Sequence, residues 1–141
     1  MNKNFRFEIF KKASLCRNFE EQVIINVNNK NIKIPVYVSA GQEFIAAAIS
    51  TICKKKKIKP LIFPQHRCHS TYLAFGGNII KLIDELLGRE SGCTKGKGGS
   101  ASIHSKDINM FGHDGLMGSN GPIGVGACFA TKKPTVIFLG D

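Results

Sequence analysis

The chain has 141 residues, 43% of them hydrophobic with ten Phe, which suits one soluble globular domain and excludes a disordered chain. No apolar run approaches the roughly 18–20 residues of a membrane span, and the first residues alternate charges with aromatics instead of forming a signal peptide, so we expect a cytoplasmic protein without a membrane partner. The net charge of +10 would suit a nucleic-acid partner only if the basic residues were clustered with aromatics between them, a pattern that this sequence lacks.

The first third of the chain predicts a helix, a strand and a second helix. Apolar residues recur at helical spacing over about 5–25, with charged residues between them, which indicates an amphipathic helix. Strict alternation over 32–38 predicts a short strand, and Pro35 places it at a sheet edge. Ser39 and Gln42 match a capping box before a segment that is apolar on all sides, so we expect a helix there in a core or an interface.

The middle of the chain predicts a strand, a loop and a helix. The lysines of 54–57 suit a solvated helix end, because cations stabilise helix C-termini, and 61–63 suits a short buried strand. The polar segment 65–77 is interpreted as a functional loop. Asn78 is expected to cap an amphipathic helix that Gly88 ends in a left-handed conformation.

Glycines are frequent over 90–121, and a stretch of this length without helix or strand signals is typical of a functional or a disordered segment. A small-residue helix is predicted over 122–130 and a buried strand over 135–139. Asp141 follows that strand. Because ligands of open parallel sheets bind beyond the carboxyl ends of the strands, this carboxylate suits Mg²⁺, and its alternative role is that of a turn aspartate.

Two familiar binding motifs are not matched. Residues 92–100 are similar to a Walker phosphate loop, but only Cys93, Thr94 and Lys95 separate the first two glycines where four residues are required. Zinc binding is disfavoured because the first three candidate ligands lie at spacings that common structural sites do not use: His66, Cys68, His69, Cys93 and His104. The five cysteines, odd in number and widely spaced, indicate free thiols in a reducing compartment.

Seven short segments occur together and in the same order as in one enzyme family. They are residues 17–20 (RNFE), 41–43 (GQE), 66–69 (HRCH), 85–89 (ELLGR), 92–100 (GCTKGKGGS), 115–118 (GLMG) and 140–141 (GD). The GCTKGKGGS loop after an ELLGR helix is distinctive by itself. The ordered set resembles the alpha subunit of pyruvate, acetoin and related thiamine-diphosphate-dependent 2-oxoacid dehydrogenases over nearly the whole chain.

The resemblance implies an α/β fold: a partial thiamine-diphosphate-binding fold whose parallel sheet is flanked by helices and is truncated after an early strand. It implies a single incomplete domain over 1–141, with 1–38 as a helical or hairpin extension and 39–141 as the start of the cofactor domain. The function implied is oxidative decarboxylation of a small 2-oxoacid with acyl transfer to a lipoyl protein. The cofactors implied are thiamine diphosphate and Mg²⁺, and the partners are a beta subunit in an alpha2beta2 assembly and a lipoyl-bearing acyltransferase.

The same resemblance implies roles for residues of the HRCH segment. Arg67 resembles the arginine that contacts the diphosphate, a role that suits the rigid fork of donors on a guanidinium group. His66 stands where the family usually has tyrosine and is expected to bind the cofactor. His69 matches a family histidine near the site and is expected to be catalytic.

Further roles are implied for the later segments. Gly115 and Met117 lie in a stretch that resembles the family's aminopyrimidine-binding segment, where backbone groups hold the ring and the side chain now occupied by Met117 lies beneath the bent cofactor. Asp141 resembles the first Mg²⁺ ligand of the family's Gly-Asp-Gly motif. The carboxylate that activates the aminopyrimidine is expected from the beta subunit, so this chain would contribute binding and orientation and would be inactive alone.

Tyr37 departs from the family pattern. It stands about where pyruvate-type members have an active-site histidine, so the 2-oxoacid stays open. Two alternatives stay open as well: a non-oxidative decarboxylase or carboligase subunit that uses the same cofactor, and an inactive fragment that binds at a subunit interface.

Overall fold

The computed structural model describes residues 3–113 and 115–140. Over these residues the chain forms five α-helices, one short 3-10 helix and two strands. In chain order they are α1 (Lys3–Asn28), α2 (Glu43–Lys55), β1 (Leu61–Phe63), α3 (His69–Ala74), α4 (Ile79–Leu86), the 3-10 helix (Lys106–Ile108), α5 (Asn120–Thr131) and β2 (Thr135–Ile137).

The two strands form a parallel sheet that α5 covers. Ile62 of β1 pairs with Val136 of β2, and α5, which lies between the two strands in sequence, packs against both. On the other side of β1, the Phe111 N–H donates to the Ile62 carbonyl at 2.9 Å. A parallel pair needs such a crossover connection, so the predicted α/β class is confirmed. The predicted strand over 135–139 is shorter, and its three residues are half-buried.

The core lies between the helices and β1. Helix α1 contributes Cys16, Phe19 and Val23, which pack with side chains of β1, α3 and α4. The core residues contributed by those three elements include Ile62, Tyr72, Leu73, Leu82 and Leu86. The predicted first helix is therefore confirmed, and it extends further at both ends than the periodicity indicated.

An ion pair joins the first two helices. The Arg17 guanidinium donates to both oxygens of the buried Glu43 carboxylate, with Nε to Oε1 at 2.6 Å and Nη2 to Oε2 at 3.2 Å. The Gly41 N–H also donates to Glu43 at 2.9 Å. The 17–20 and 41–43 segments therefore meet in space at the start of α2.

Helix α4 agrees with the prediction at both ends. The Asn78 side chain accepts from the N–H groups of Ile80 and Lys81 at 2.8 and 3.2 Å, which satisfies two donors of the first turn. Gly88 has a φ of +69°, the left-handed conformation that glycine adopts without strain. This helix matters because it carries Glu85 into the interior.

The strand predicted over 32–38 is wrong. These residues are extended, and Ile32 is buried with Ile34, Val36 and Val38 packed against the core, but no neighbouring strand pairs with them within the described residues. Alternation here reflects packing of one side of the segment, while the Tyr37 N–H and the Val38 carbonyl bind side chains instead of a neighbouring strand.

Two further expectations are wrong for a shared reason. The segment 65–77 is not a loop throughout, because His69–Ala74 is a buried helix. Ser39 does not cap α2; its hydroxyl binds the buried Glu20 carboxylate, and Gln42 holds the N-cap position without a side-chain cap bond. In both places polar side chains have partners distant in sequence, which a local pattern cannot show.

Helix α2 is buried on one face only. Ala46 and Ala47 are buried, whereas Phe44, Ile45 and Ile52 are exposed, so the helix packs on the core with one face, and a role of its other face in an interface stays a prediction. Within residues 3–113 and 115–140, no helix combines the length and the apolarity needed to cross a bilayer.

The close packing of α5 on the sheet makes a matched pair of substitutions informative. A Cβ at Gly124 would lie 2.7 Å from Ile137 side-chain atoms, whereas a Cβ at Gly126 would meet nothing within 4 Å. We expect Gly124→Ala to lower the free energy of unfolding by about 1–3 kcal/mol through overpacking, and Gly126→Ala to raise it by about 0.5–1 kcal/mol through helix propensity. Denaturant titrations measure both, and equal effects at the two positions would contradict this packing.

Candidate coenzyme cleft

The glycine-rich loop surrounds a carboxylate of the protein itself. Glu85 is fully buried on α4. Its Oε2 accepts from the N–H groups of Thr94 and Gly96 at 2.7 and 2.9 Å, and its Oε1 accepts from those of Gly98 and Gly99 at 2.9 and 3.0 Å. The loop therefore resembles a phosphate cradle because it binds an anion, but the anion is internal.

Glycine is required in this loop by close approach. A Cβ at Gly96, whose φ is +71°, would lie 2.5 Å from the Gly88 carbonyl carbon. A Cβ at Gly98 would lie 2.5 Å from the Ser102 carbonyl oxygen and the Thr94 hydroxyl. Side chains at these positions would push the N–H groups away from the carboxylate, so the GxG spacing of 96–98 follows from the geometry of the Glu85 site.

Glu85 is ionised at neutral pH. Burial raises the pKa of its carboxyl, but the hydrogen bonds from Thr94, Gly96 and Gly99 oppose this, and the net pKa lies below its ordinary value of 4.5. The four N–H groups thus stabilise a buried negative charge and hold the loop closed.

A second buried carboxylate, Glu20 of α1, begins a chain of hydrogen bonds. Its Oε2 lies 2.9 Å from His69 Nδ1, and His69 Nε2 lies 2.9 Å from the Ser100 Oγ. The Ser39 N–H donates to Glu20 Oε1 at 2.8 Å. Burial raises the pKa of Glu20, but the bonds from His69 and Ser39 outweigh it, so the net pKa is below its ordinary value. His69 is fully buried, with both ring nitrogens bound inside the protein.

A cleft of about 460 Å³ lies at the carboxyl end of the two strands, within the range of about 300–1,000 Å³ of small-molecule pockets. The loop after β1, the residues after β2 and one face of α2 form its walls. Its polar and sheet-edge lining includes Gln42, Gln65, Arg67, Ser70, Leu139 and Gly140. It occupies the place where ligands of parallel α/β sheets bind.

Met117 reaches the same end of the cleft. A Cβ added at Gly140 would overlap the Met117 methyl group and would lie 2.9 Å from the Gln65 Oε1. The start of α5 is tied to the same edge, because the Asn120 side chain donates to the Pro64 carbonyl directly after β1. The segment 115–118, the loop 64–67 and Gly140 therefore converge, although they are distant in sequence.

Three rings gather beside this edge. The His66 ring lies 5.3 Å from the Tyr37 ring and 5.9 Å from the His113 ring, measured between centroids. His113 Nδ1 accepts from the Gly115 N–H at 2.9 Å, and Gly115 has a φ of +94°. This bond shapes the turn that leads to Met117.

The predicted site residues thus fall into three groups. Arg67 lines the cleft, Met117 reaches Gly140 at its end, and His66 and Gly115 lie in the adjoining ring cluster. His69 lies beneath the cleft, bound within the core. Asp141 lies outside the described residues, although Gly140 before it lines the cleft.

The sequence reasoning missed four residues that shape the site: Gln65, Glu20, Glu85 and Ser100. The sequence did contain a signal for Glu85. The glycine-rich loop is similar to an anion-binding loop but does not match a phosphate motif, which points to an anion within the protein, and the ELLGR segment with Glu85 directly precedes the loop. Glu20 and Ser100 lie at the ends of the 17–20 and 92–100 segments, but those segments gave no signal of their roles, and Gln65 offered no local pattern. Among residues 3–113 and 115–140, no three His, Cys, Asp or Glu side chains are grouped as metal ligands.

The family model of the dehydrogenase E1 component matches residues 11–139, nearly all of this chain. The chain belongs to the dehydrogenase E1 component family. Membership in this family implies thiamine diphosphate as the coenzyme. The cleft fits such a group, because a guanidinium lines it and the Met117 thioether packs closely against Gly140 at its far end.

Individual relatives of this E1 component agree. The chain is 34% identical over 123 residues to the mitochondrial pyruvate dehydrogenase E1 component subunit alpha-1 of Oryza sativa subsp. japonica, covering 87% of this chain and 31% of that protein. It is 35% identical over 133 residues to the mitochondrial alpha subunit of Schizosaccharomyces pombe, covering 92% and 31%. It is 33% identical over 137 residues to the alpha subunit of Rickettsia felis, covering 94% and 41%. The chain therefore spans about a third of the length of these relatives.

Replacement of the Glu85 carboxylate tests the loop. The amide of Glu85→Gln cannot accept from all four N–H groups, so we expect a loss of about 3 kcal/mol in the free energy of unfolding. The neighbouring Asp84→Asn is the control, because the Asp84 side chain binds Arg89 and Ser91 near the surface and should matter much less. Urea titrations compare the two, and a small effect of Glu85→Gln would show that the loop does not depend on this charge.

Acid should remove the stabilisation that the ionised Glu85 carboxylate provides. Because the folded-state pKa of Glu85 lies below its ordinary value of 4.5, the stabilisation is complete above about pH 5 and is lost as the pH falls from about 4.5 through the folded-state pKa. The difference in unfolding free energy between the native chain and Glu85→Gln should therefore shrink below about pH 4.5. Urea titrations at a series of pH values measure it, and a difference that stays constant to about pH 3 would contradict the ionised site.

Proposed function

We propose that this chain forms one wall of a thiamine-diphosphate site in the alpha subunit of a 2-oxoacid dehydrogenase. The observation that carries the proposal is the convergence of Arg67, Met117 and Gly140 on one cleft at the carboxyl end of a parallel sheet. The partners in this proposal are a beta subunit in an alpha2beta2 assembly, a lipoyl-bearing acyltransferase and a small 2-oxoacid.

The side chains of this chain would bind and orient the coenzyme. Arg67 is exposed toward the cleft, and one of its donors, Nη1, binds the Val38 carbonyl at 3.3 Å, which leaves further N–H groups for diphosphate oxygens. Gly115 and Met117 would contact the aminopyrimidine end, and His66 would border it. Thiamine diphosphate, when bound, would supply the chemistry of decarboxylation.

Mg²⁺ would accompany the diphosphate. The proposal assigns Asp141 as a ligand, because the residue before it lines the cleft and a carboxylate beside phosphate oxygens suits this ion. The expected cytoplasmic location stays part of the proposal. The names of the rice and fission yeast relatives place those proteins in mitochondria.

Calorimetry with thiamine diphosphate and Mg²⁺ tests the coenzyme site in the chain reconstituted with the remaining parts of an E1 assembly. We expect saturable binding, and Arg67→Ala should weaken it about 10–100-fold because a charge-assisted bond to phosphate is lost. Arg89→Ala is the matched control, since Arg89 binds Asp84 away from the cleft.

Thiamine without its diphosphate provides a second control, because Arg67→Ala should leave its weak binding unchanged. Turnover of 2-oxoacids with and without a lipoyl protein then separates oxidative acyl transfer from simple decarboxylation or carboligation. Absence of thiamine diphosphate binding by the reconstituted assembly would refute the proposal.

A further inference from the structure

Ser100, His69 and Glu20 have the connectivity of a catalytic triad. The Ser100 Oγ lies 2.9 Å from His69 Nε2, and His69 Nδ1 lies 2.9 Å from Glu20 Oε2. In serine hydrolases the same order of hydroxyl, imidazole and carboxylate activates a nucleophile. Here, however, Ser100 is 2% exposed and the other two residues are fully buried. An acyl substrate cannot reach this hydroxyl, so the arrangement serves another purpose.

The direction of each hydrogen bond follows from the backbone donors. Glu20 Oε1 must accept, because its partner is the Ser39 N–H. The ionised Glu20 then accepts from His69 Nδ1–H, and in the neutral imidazole this leaves His69 Nε2 as an acceptor. At the other end the Ser100 Oγ accepts from the Tyr37 N–H at 2.8 Å, so its own proton is donated to His69 Nε2.

Both ends of this chain of bonds hold the same segment, 37–39. The Tyr37 N–H binds Ser100, and both the N–H and the hydroxyl of Ser39 bind Glu20. Between these two fixed points the Val38 carbonyl accepts from Arg67 Nη1 at 3.3 Å. The carbonyl that orients the Arg67 guanidinium is therefore held on both sides by the buried residues.

The far end of the chain is anchored as well. Ser100 directly follows Gly99, whose N–H donates to the Glu85 carboxylate. The Ser100 carbonyl also lies 3.6 Å from the thiol of Cys68, the residue before His69. Movement of Ser100 is thus restricted by the loop that Glu85 holds closed.

We propose that Glu20, His69 and Ser100 are positioning residues that orient Arg67 toward the cleft through segment 37–39. The hydroxyl of Ser100 acts as an acceptor for the Tyr37 N–H and a donor to the imidazole, and it is not a nucleophile. The link between this device and coenzyme binding rests on the proposed function, whereas the hydrogen-bond directions do not.

Nitrogen-15 NMR of the histidine ring tests those directions in the assembly. Native His69 should carry its proton on Nδ1. In Glu20→Gln the amide oxygen must still accept from the Ser39 N–H, so the amide NH₂ faces His69 Nδ1, and the proton should move to Nε2. The two contacts of the His69 ring are kept with reversed direction, while the backbone N–H groups of Ser39 and Tyr37 donate as before. A native proton on Nε2, or a Glu20→Gln protein that keeps it on Nδ1, would overturn the inference.

Amide exchange tests whether the segment is held. Ser100→Ala should accelerate exchange of the Tyr37 N–H at least about tenfold, because its acceptor is removed. Ser50→Ala is the matched control: Ser50 is also buried, accepts from Lys12 and donates to the Ala47 carbonyl, but it does not contact segment 37–39. Equal exchange at Tyr37 in the two variants would overturn the inference.

A double-mutant cycle tests the coupling to Arg67. Ser100→Ala should weaken thiamine diphosphate binding about tenfold in the native background and less than about twofold in an Arg67→Ala background. Ser50→Ala should change neither affinity. Equal weakening in both backgrounds would show that Ser100 does not act through Arg67. If the native assembly binds no thiamine diphosphate, the proposed function fails. The protonation of the His69 ring nitrogens and the exchange rate of the Tyr37 N–H then still test whether Glu20, His69 and Ser100 hold segment 37–39.

Discussion

A buried carboxylate surrounded by backbone N–H groups organises this chain. Glu85 enters the interior on α4, where an ionised group is unfavourable unless donors compensate for the lost water. The N–H groups of Thr94, Gly96, Gly98 and Gly99 supply that compensation. Because four N–H groups must point at one carboxylate, the backbone conformation of the loop is fixed. Glycines are needed where the loop packs closely against other backbone atoms. The loop is therefore rigid despite its composition.

The rigid loop is connected to the rest of the fold through Ser100. Ser100, directly after the last donor, contacts His69 of α3 and the backbone of Tyr37. His69 in turn contacts Glu20 of α1. Buried polar groups joined in this way link segments that are distant in sequence, and each group satisfies a partner that burial would otherwise leave without water. The inner wall of the cleft is built on this polar layer.

The sheet supplies the other wall. Parallel strands bring the ends of β1 and β2 to one edge, and α5 begins at that edge with Asn120 bound to the Pro64 carbonyl. The family shown by the match over 11–139 uses a diphosphate-bearing coenzyme, and the cleft offers it a guanidinium, backbone without side chains and an apolar thioether. A shared edge and a family match thus support the same assignment by independent routes.

The sequence by itself determined the elements with strong local signals: the long amphipathic α1, the Asn78 cap and Gly88 stop of α4, strand 61–63, and the family motifs that mark Arg67 and Met117. Capping, periodicity and glycine conformation act over a few residues, so a linear pattern contains them. Only the tertiary structure decided that 32–38 is extended without a strand partner among the described residues, that His69 lies on a buried helix, and that Ser39 binds Glu20 instead of capping α2. Those outcomes depend on hydrogen bonds between residues 19 to 63 positions apart, whose free energies exist only after the chain has brought the partners together.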